Sequence, residues 1–166
     1  MKYLLAIDPC ADTEVSDTGF AGGLYDETTP FRLVTSGVIH GGFRALCKAI
    51  APPKTPPFYE GHPLMFLLRS ADKVIVEDYV TFNTFGDPSP LKAIGAVQCR
   101  RPDAILQPAA GKNTLVPNWA LKKLGHWKTQ GEGAGHHRDE VEAIRHAYYW
   151  LARSGHRPTL EQLSGR

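Results

Sequence analysis

The chain has 166 residues, of which 42% are hydrophobic and 22% charged, with a formal net charge of +2; this is the profile of one globular domain with a single good-sized core. The apolar start Tyr3-Leu4-Leu5-Ala6-Ile7 halts at Asp8, short of the roughly 7–15 residues of a secretory h-region, and no stretch has the length of a membrane span, so neither a signal peptide nor a membrane partner is expected. Three widely spaced cysteines, Cys10, Cys47 and Cys99, form no CxxC pair, which argues against a disulfide framework or a zinc site and for a reduced, cytoplasmic protein.

In chain order, Tyr3 to Ile7 is continuously apolar, as in a central strand covered on both faces. Thr18 to Tyr25 and Phe31 to Ile39 flank the turn Asp26-Glu27-Thr28-Thr29-Pro30 and read as an antiparallel hairpin extending that strand. A helix follows from Gly42 to Ile50, stopped by Pro52-Pro53, and the proline-rich segment 51–57 is a stiff connection. A second short helix over Pro63 to Ser70 leads into a fourth strand, Lys73 to Glu77. Asp87-Pro88-Ser89-Pro90 opens a helix with apolar residues at Leu91, Ile94 and Val97. A short fifth strand, Ala104 to Gln107, ends at Pro108, and a helix is expected from Val116 to Leu124, stopped by Gly125. After a glycine-rich loop, a last helix runs from about Arg138 to Arg153 with Val141, Ile144, Ala147, Tyr148 and Leu151 on one face. A domain over 1–153 and a poorly ordered tail over 154–166 complete the expectation.

Three acids stand where apolar segments end or a helix begins: Asp8, Glu77 and Asp139. Desolvating a carboxylate is costly unless a cation or donor compensates it, so together they suggest a metal-binding cluster and a nuclease. Each has a competing role, Asp8 as a turn residue before Pro9, Glu77 as a solvated strand end in which Asp78 points inward instead, and Asp139 as an acid complementing a helix N-terminus. Charge is also unevenly distributed. Residues 1–90 hold 7 Lys and Arg against 11 Asp and Glu, a net of −4, and residues 91–166 hold 12 against 6, a net of +6. An acidic first half beside a basic second half suits a metal site next to a polyanion-binding surface. Arg100, Arg101, Lys122, Lys123, Lys128 and Arg138 are the candidates for phosphate contacts. Trp119, Trp127 and Phe85 are candidates to stack on bases, with core packing the commoner fate for Trp119.

Taken in order, Ile7-Asp8-Pro9, Thr18-Gly19-Phe20-Ala21, Val76-Glu77, Pro108 followed by Lys112, and His136-x-x-Asp139 resemble the motifs of RuvC-type Holliday junction resolvases, members of the RNase H-like superfamily. With Trp119-Ala120-Leu121-Lys122-Lys123-Leu124-Gly125 before the last motif and Arg145-His146-Ala147-Tyr148-Tyr149 after it, the chain looks most like the RuvC-like proteins of bacteriophages, over roughly residues 3–152. Cys10 stands where the family often has glycine, the loop from Ala11 to Asp17 is long and acidic, and His136 replaces a frequent acidic ligand.

The resemblance implies an α/β, RNase H-like fold, a five-stranded mixed sheet whose first three strands are antiparallel and whose others are parallel, flanked by helices. It implies a metal-dependent, structure-selective endodeoxyribonuclease acting on four-way or other branched DNA. Asp8, Glu77, His136 and Asp139 would hold two Mg²⁺ or Mn²⁺ ions, with His137 the alternative to His136, and Lys112 would lie near the scissile phosphate. Two ions about 3.5–4 Å apart can activate water and stabilise the leaving oxygen. Symmetric paired nicks call for a two-fold homodimer. An RNase H acting on RNA–DNA hybrids and a catalytically silent module binding branched nucleic acid or protein are the rival functions.

Overall fold

The computed structural model describes residues 1–9, 16–52, 62–79, 89–127 and 138–165. Its centre is strand β1 (Lys2–Asp8), in which Leu4, Leu5, Ala6 and Ile7 are all fully buried. Such a run needs cover on both faces of the sheet, and it has it. Leu4 and Ala6 belong to one core with the long helix α6 (Arg138–Arg153), while Leu5 and Ile7 belong to a second core with α1 (Gly42–Ile50), α2 (Pro63–Ser70) and α3 (Ser89–Arg100).

Strands β2 (Asp17–Tyr25) and β3 (Arg32–His40) form the expected hairpin, and β4 (Lys73–Asp78) and β5 (Ile105–Pro108) complete a sheet of order β3-β2-β1-β4-β5. The first three strands are antiparallel, and β4 and β5 run parallel to β1, the mixed five-stranded arrangement expected from the sequence. In the hairpin turn, Asp26 Oδ1 accepts hydrogen bonds from the amides of Thr28 and Thr29 at 3.0 and 2.9 Å and from the Thr28 hydroxyl at 2.9 Å. These bonds, led by the Thr28 amide, lower the Asp26 carboxyl to about 2.

Two expectations are corrected. The helix foreseen over 116–124 is shorter, α5 (Asn118–Lys123), and a separate short helix that was not foreseen, α4 (Lys112–Leu115), precedes it. Pro117 cannot donate to a continuing helix and forces Val116 out of helical backbone, so the helix breaks there. The tail foreseen as poorly ordered contains α7 (Arg157–Ser164), with Pro158 in its first turn. It is pinned to the β2–β3 hairpin: His156 Nε2 donates to the Asp26 carbonyl at 2.6 Å, and the Phe31 amide donates to the buried Thr159 hydroxyl at 3.2 Å. Leu163 enters the α6-side core. Among the described residues no helix is long and apolar enough to cross a membrane.

If α7 is a structural part of the domain, Leu163→Ala should cost about 2–5 kcal/mol, as burial-to-cavity changes of this size do. Urea unfolding checks this, and a midpoint unchanged from that of the unsubstituted chain would return residues 154–166 to the status of a tail.

Candidate metal centre and its supporting charges

Side-chain alternation decides which residues reach the site. The face of β1 that carries Leu4 and Ala6 carries Asp8 next, at the carboxyl end of the strand. On β4, Ile75 shares that face, and Glu77 follows two residues later. The parallel register, ending at Ile7 beside Val76, sets Asp8 next to Glu77, and Glu77 is paired in turn with Gln107 of β5. Glu77 rather than Asp78 therefore points inward, as the sequence reading chose. Both acids sit at carboxyl ends of adjacent parallel strands, the usual place for ligands in open α/β sheets.

Helix α6 supplies the opposite wall. Asp139, Glu142 and His146 are spaced three and four apart, so they form one stripe. The helix can come this close because β2 shows it small residues. Gly19 lies opposite Asp8 in the antiparallel register, and a Cβ there would stand 1.9 Å from the carbonyl oxygen of Asp139 and 2.3 Å from its carbon. Glycine at 19 thus sets the first turn of α6, with Asp139, directly against the end of β1. The electrostatic influence of Asp139 on Asp8 reflects that placement.

The side chains interlock. Glu77 Oε2 lies 3.0 Å from His146 Nε2, and Glu77 Oε1 accepts from Lys112 Nζ at 3.2 Å. Lys112 also pairs with Glu142 Oε2 at 3.0 Å. Gly111, at φ 84°, permits the turn that starts α4 and delivers Lys112 to this position. Arg145 is almost wholly buried behind them. Its guanidinium donates to the Val116 carbonyl, to Asn118 Oδ1 at 2.7 Å and to Glu142 Oε1 at 3.3 Å, and it lies 5.6 Å from the centroid of the Trp127 ring. Arg145 therefore fastens the broken α4–α5 segment to α6 and steadies the carboxylate that holds Lys112.

Proton affinities follow from this crowding. Burial, with the hydrogen bond and the like charge of Glu77 added, raises the Asp8 carboxyl well above the ordinary range. Burial also works to raise Glu77, but hydrogen bonds with His146 and Asp8 and the Lys112 ammonium outweigh it and hold Glu77 well below the carboxylate range. For Lys112 burial favours the neutral amine, yet Glu77, Glu142 and Asp8 prevail and raise it. Asp8, Glu77 and His146 have ligand atoms all within 4.8 Å of one another. Four carboxyl groups, those of Asp8, Glu77, Asp139 and Glu142, outnumber the cations Lys112 and Arg145. This excess of partly buried carboxyl groups, with Asp8 and Glu77 close together and Asp139 near enough to act on Asp8, fits a hard divalent cation such as Mg²⁺ or Mn²⁺, which Asp8, Glu77 and Asp139 would hold.

Other sequence candidates fare differently. His136, His137, Lys128 and Phe85 lie outside the described residues. Arg138 is exposed at the start of α6, close in sequence to Asp139, and Lys122 and Lys123 are exposed on α5. Trp119 of α5, read as a core residue, is instead 56% exposed. Arg100 and Arg101 do not join the site: they precede β5, at the opposite end of the parallel strands from Asp8 and Glu77. Arg101 is committed to structure, forked onto Asp103 at 2.9 and 2.9 Å and donating to the carbonyls of Leu68 and Ala71 at 2.5 and 2.9 Å. Sequence reasoning missed Glu142, Arg145, His146 and Gln107. The stripe at Asp139, Glu142 and His146 and the alternation placing Gln107 beside Glu77 were the available signals.

No protein-family model and no curated protein matches the chain. Among solved structures, Thermus thermophilus RuvC in complex with a Holliday junction substrate superposes with a TM-score of 0.63 at 15% identity, covering 94% of this chain and 98% of that one. The fold is that of RuvC. A second Thermus thermophilus RuvC structure gives a TM-score of 0.60 at 14% identity, with 92% and 96% covered. The RuvC fold accounts for the order of strands and helices that the sequence motifs implied.

Two outcomes follow from the site. A carboxyl whose folded-state pKa is raised loses stability as pH climbs from the ordinary carboxylate range through the raised value, so Asp8 opposes folding at neutral pH in the absence of metal. Asp8→Asn should accordingly raise the thermal midpoint at pH 7 in EDTA, with the gain shrinking toward pH 4; a lowered midpoint would contradict the strain assigned to this pair. Gly19→Ala should destabilise by about 1–3 kcal/mol through overpacking, measured by urea unfolding, since the atoms it meets are backbone.

Proposed function

We propose that this protein is a metal-dependent, structure-selective endodeoxyribonuclease that resolves Holliday junctions or other branched DNA by two-metal phosphodiester hydrolysis. The observation that carries the reading is the pair Asp8–Glu77 in hydrogen-bond contact at adjacent strand ends, with Lys112 bonded to Glu77, in a chain of RuvC fold. That one of the similar RuvC structures holds a Holliday junction substrate supports branched DNA as the ligand.

Asp8, Glu77 and Asp139, with His136, would hold Mg²⁺ or Mn²⁺. Bound divalent ions supply activation of a water and stabilisation of the leaving oxygen. Asp8 is central among the ligands, since it lies against Glu77 and feels Asp139. Lys112 remains an ammonium because Glu77 and Glu142 surround it, so it offers fixed positive charge to a phosphate oxygen at the site mouth. Exposed Lys122, Lys123 and Arg138, with Lys128, would meet the flanking phosphates and give salt-dependent affinity. Paired symmetric nicks favour a homodimer, and the cysteine usage favours a cytoplasmic protein.

The test is a cleavage panel in Mg²⁺ or Mn²⁺ comparing four-way junction, three-way junction, flap, linear duplex and RNA–DNA hybrid. Symmetric nicks confined to junctions are expected, and Asp8→Asn should reduce cleavage to background while keeping junction binding in a gel-shift assay. Cleavage of the hybrid in preference to junctions would replace the reading with an RNase H-type activity, and full activity of Asp8→Asn would sink it.

A further inference from the structure

His146 stands where two opposite roles are conceivable. Its Nε2 groups with Asp8 and Glu77 in a constellation that two carboxylates and an imidazole often use to ligate a metal. A ring nitrogen can ligate only through a free lone pair, so the position of the imidazole proton decides the matter.

Gln107 fixes that position. Its Nε2 lies 3.1 Å from His146 Nδ1 and donates to the His146 carbonyl at 3.3 Å. The second of these contacts sets the orientation of the amide: turned over, Gln107 would point its oxygen at a carbonyl oxygen and bury an amino group lacking an acceptor. As oriented, it leaves only Oε1 without a hydrogen-bond partner among the described residues. An amide N–H aimed at Nδ1 requires Nδ1 to accept, which sends the ring proton to Nε2. The other side agrees. Nε2 is 3.0 Å from a carboxylate oxygen of Glu77, where a lone pair would be repelled and an N–H is welcome. Lys112 Nζ also lies 3.2 Å from this nitrogen, a contact that would suit a lone pair there, but the ammonium has the carboxylates of Glu77 and Glu142 at 3.2 and 3.0 Å as better acceptors.

We infer that His146 is a positioning residue for Glu77: held by Gln107 as the Nε2–H tautomer, it donates to Glu77 Oε2 and orients that carboxylate toward Asp8 without ligating metal itself. Glu77 is thereby held at both oxygens, by His146 on one and Lys112 on the other. The imidazole has no exposed surface and cannot swing to another partner. Its place on α6, seven residues after Asp139, couples the orientation of Glu77 to the same helix that carries Asp139. Outer partners of this kind typically alter metal affinity 10- to 100-fold when removed.

The inference rests on the metal-dependent reading above, and the tests separate the two. In metal-free protein, ¹⁵N NMR of the imidazole should find Nε2 protonated and Nδ1 unprotonated, with the same tautomer after saturation with diamagnetic Mg²⁺. A proton on Nδ1, or loss of the Nε2 proton on adding Mg²⁺, would overturn the assignment. Mn²⁺ binding, followed by calorimetry, should weaken at least about tenfold in His146→Leu and recover to within about threefold of the parent in His146→Gln, whose amide can still donate to Glu77. Equal weakening in both variants would make His146 a ligand. Should His146→Leu not fold, Gln107→Leu keeps the imidazole and frees the tautomer: a mixture of the two forms is expected, and an unchanged Nε2–H form would overturn the role given to Gln107. Absence of Mn²⁺ binding in the unsubstituted protein would instead count against the nuclease reading, leaving the metal-free tautomer to be judged by NMR alone.

Discussion

Helix α6 lies against β2 at a distance that only a strand nearly bare of side chains allows. On the face toward the helix, β2 presents Gly19, Ala21 and Gly23 before the ring of Tyr25, and α6 answers with Ala143 and Ala147 in the same core. The missing Cβ at Gly19 admits the carbonyl of Asp139 directly over the end of β1. Without that approach the helix would ride higher on the sheet, and Asp139, Glu142 and His146 would all retreat from Asp8 and Glu77. Two carboxylates on a sheet and three polar groups on a helix become one site because of an absence of volume.

Closeness of that kind creates an electrostatic problem, which the fold contains by arranging charges in layers. Asp8 and Glu77 are the innermost anions and carry opposite perturbations, one raised by burial and its neighbour, the other lowered by donors that overcome burial. Lys112 and Glu142 form the next layer, and Arg145, buried beneath the α4–α5 break, anchors it. Each layer satisfies groups that would be costly alone. The sequence of contacts also explains why α4 and α5 must be two pieces: the carbonyl of Val116 that Arg145 captures is released by the break at Pro117.

Much of this was legible in the chain. β1 announced itself because a strand covered on both faces needs apolar residues at every position, and α6 did so because a long helix on a sheet keeps a 3.6-residue rhythm. Asp8 and Glu77 were visible because each ends such a segment. What escaped was whatever depended on who faces whom. Arg100 and Arg101 look like any basic pair, and only the parallel register reveals that they sit at the far end of the strands, with Arg101 tying α2, α3 and β5 together. Trp119 has the residue type of a core but falls on the outer face of a two-turn helix. His146 reads as one more residue of an amphipathic helix until β5 brings Gln107 beneath it. The segment after Arg153 has too few apolar residues to declare a helix, since its hold on the domain comes from His156 and Thr159 reaching main-chain groups of the hairpin.

That last clasp has a bearing on how the chain reaches its final form. Phe31 is fully buried, and its amide finds its acceptor in a hydroxyl 128 residues further along. The hairpin that contains Phe31 is made before the helices α6 and α7, and its outer end stays uncovered until they emerge. Contacts of such sequence separation close late and slow the search for the native state. The topology thus ties both ends of the sheet to distant parts of the chain: the end that carries Asp8 and Glu77 is completed by α6, and the end that carries the hairpin turn is clasped by α7.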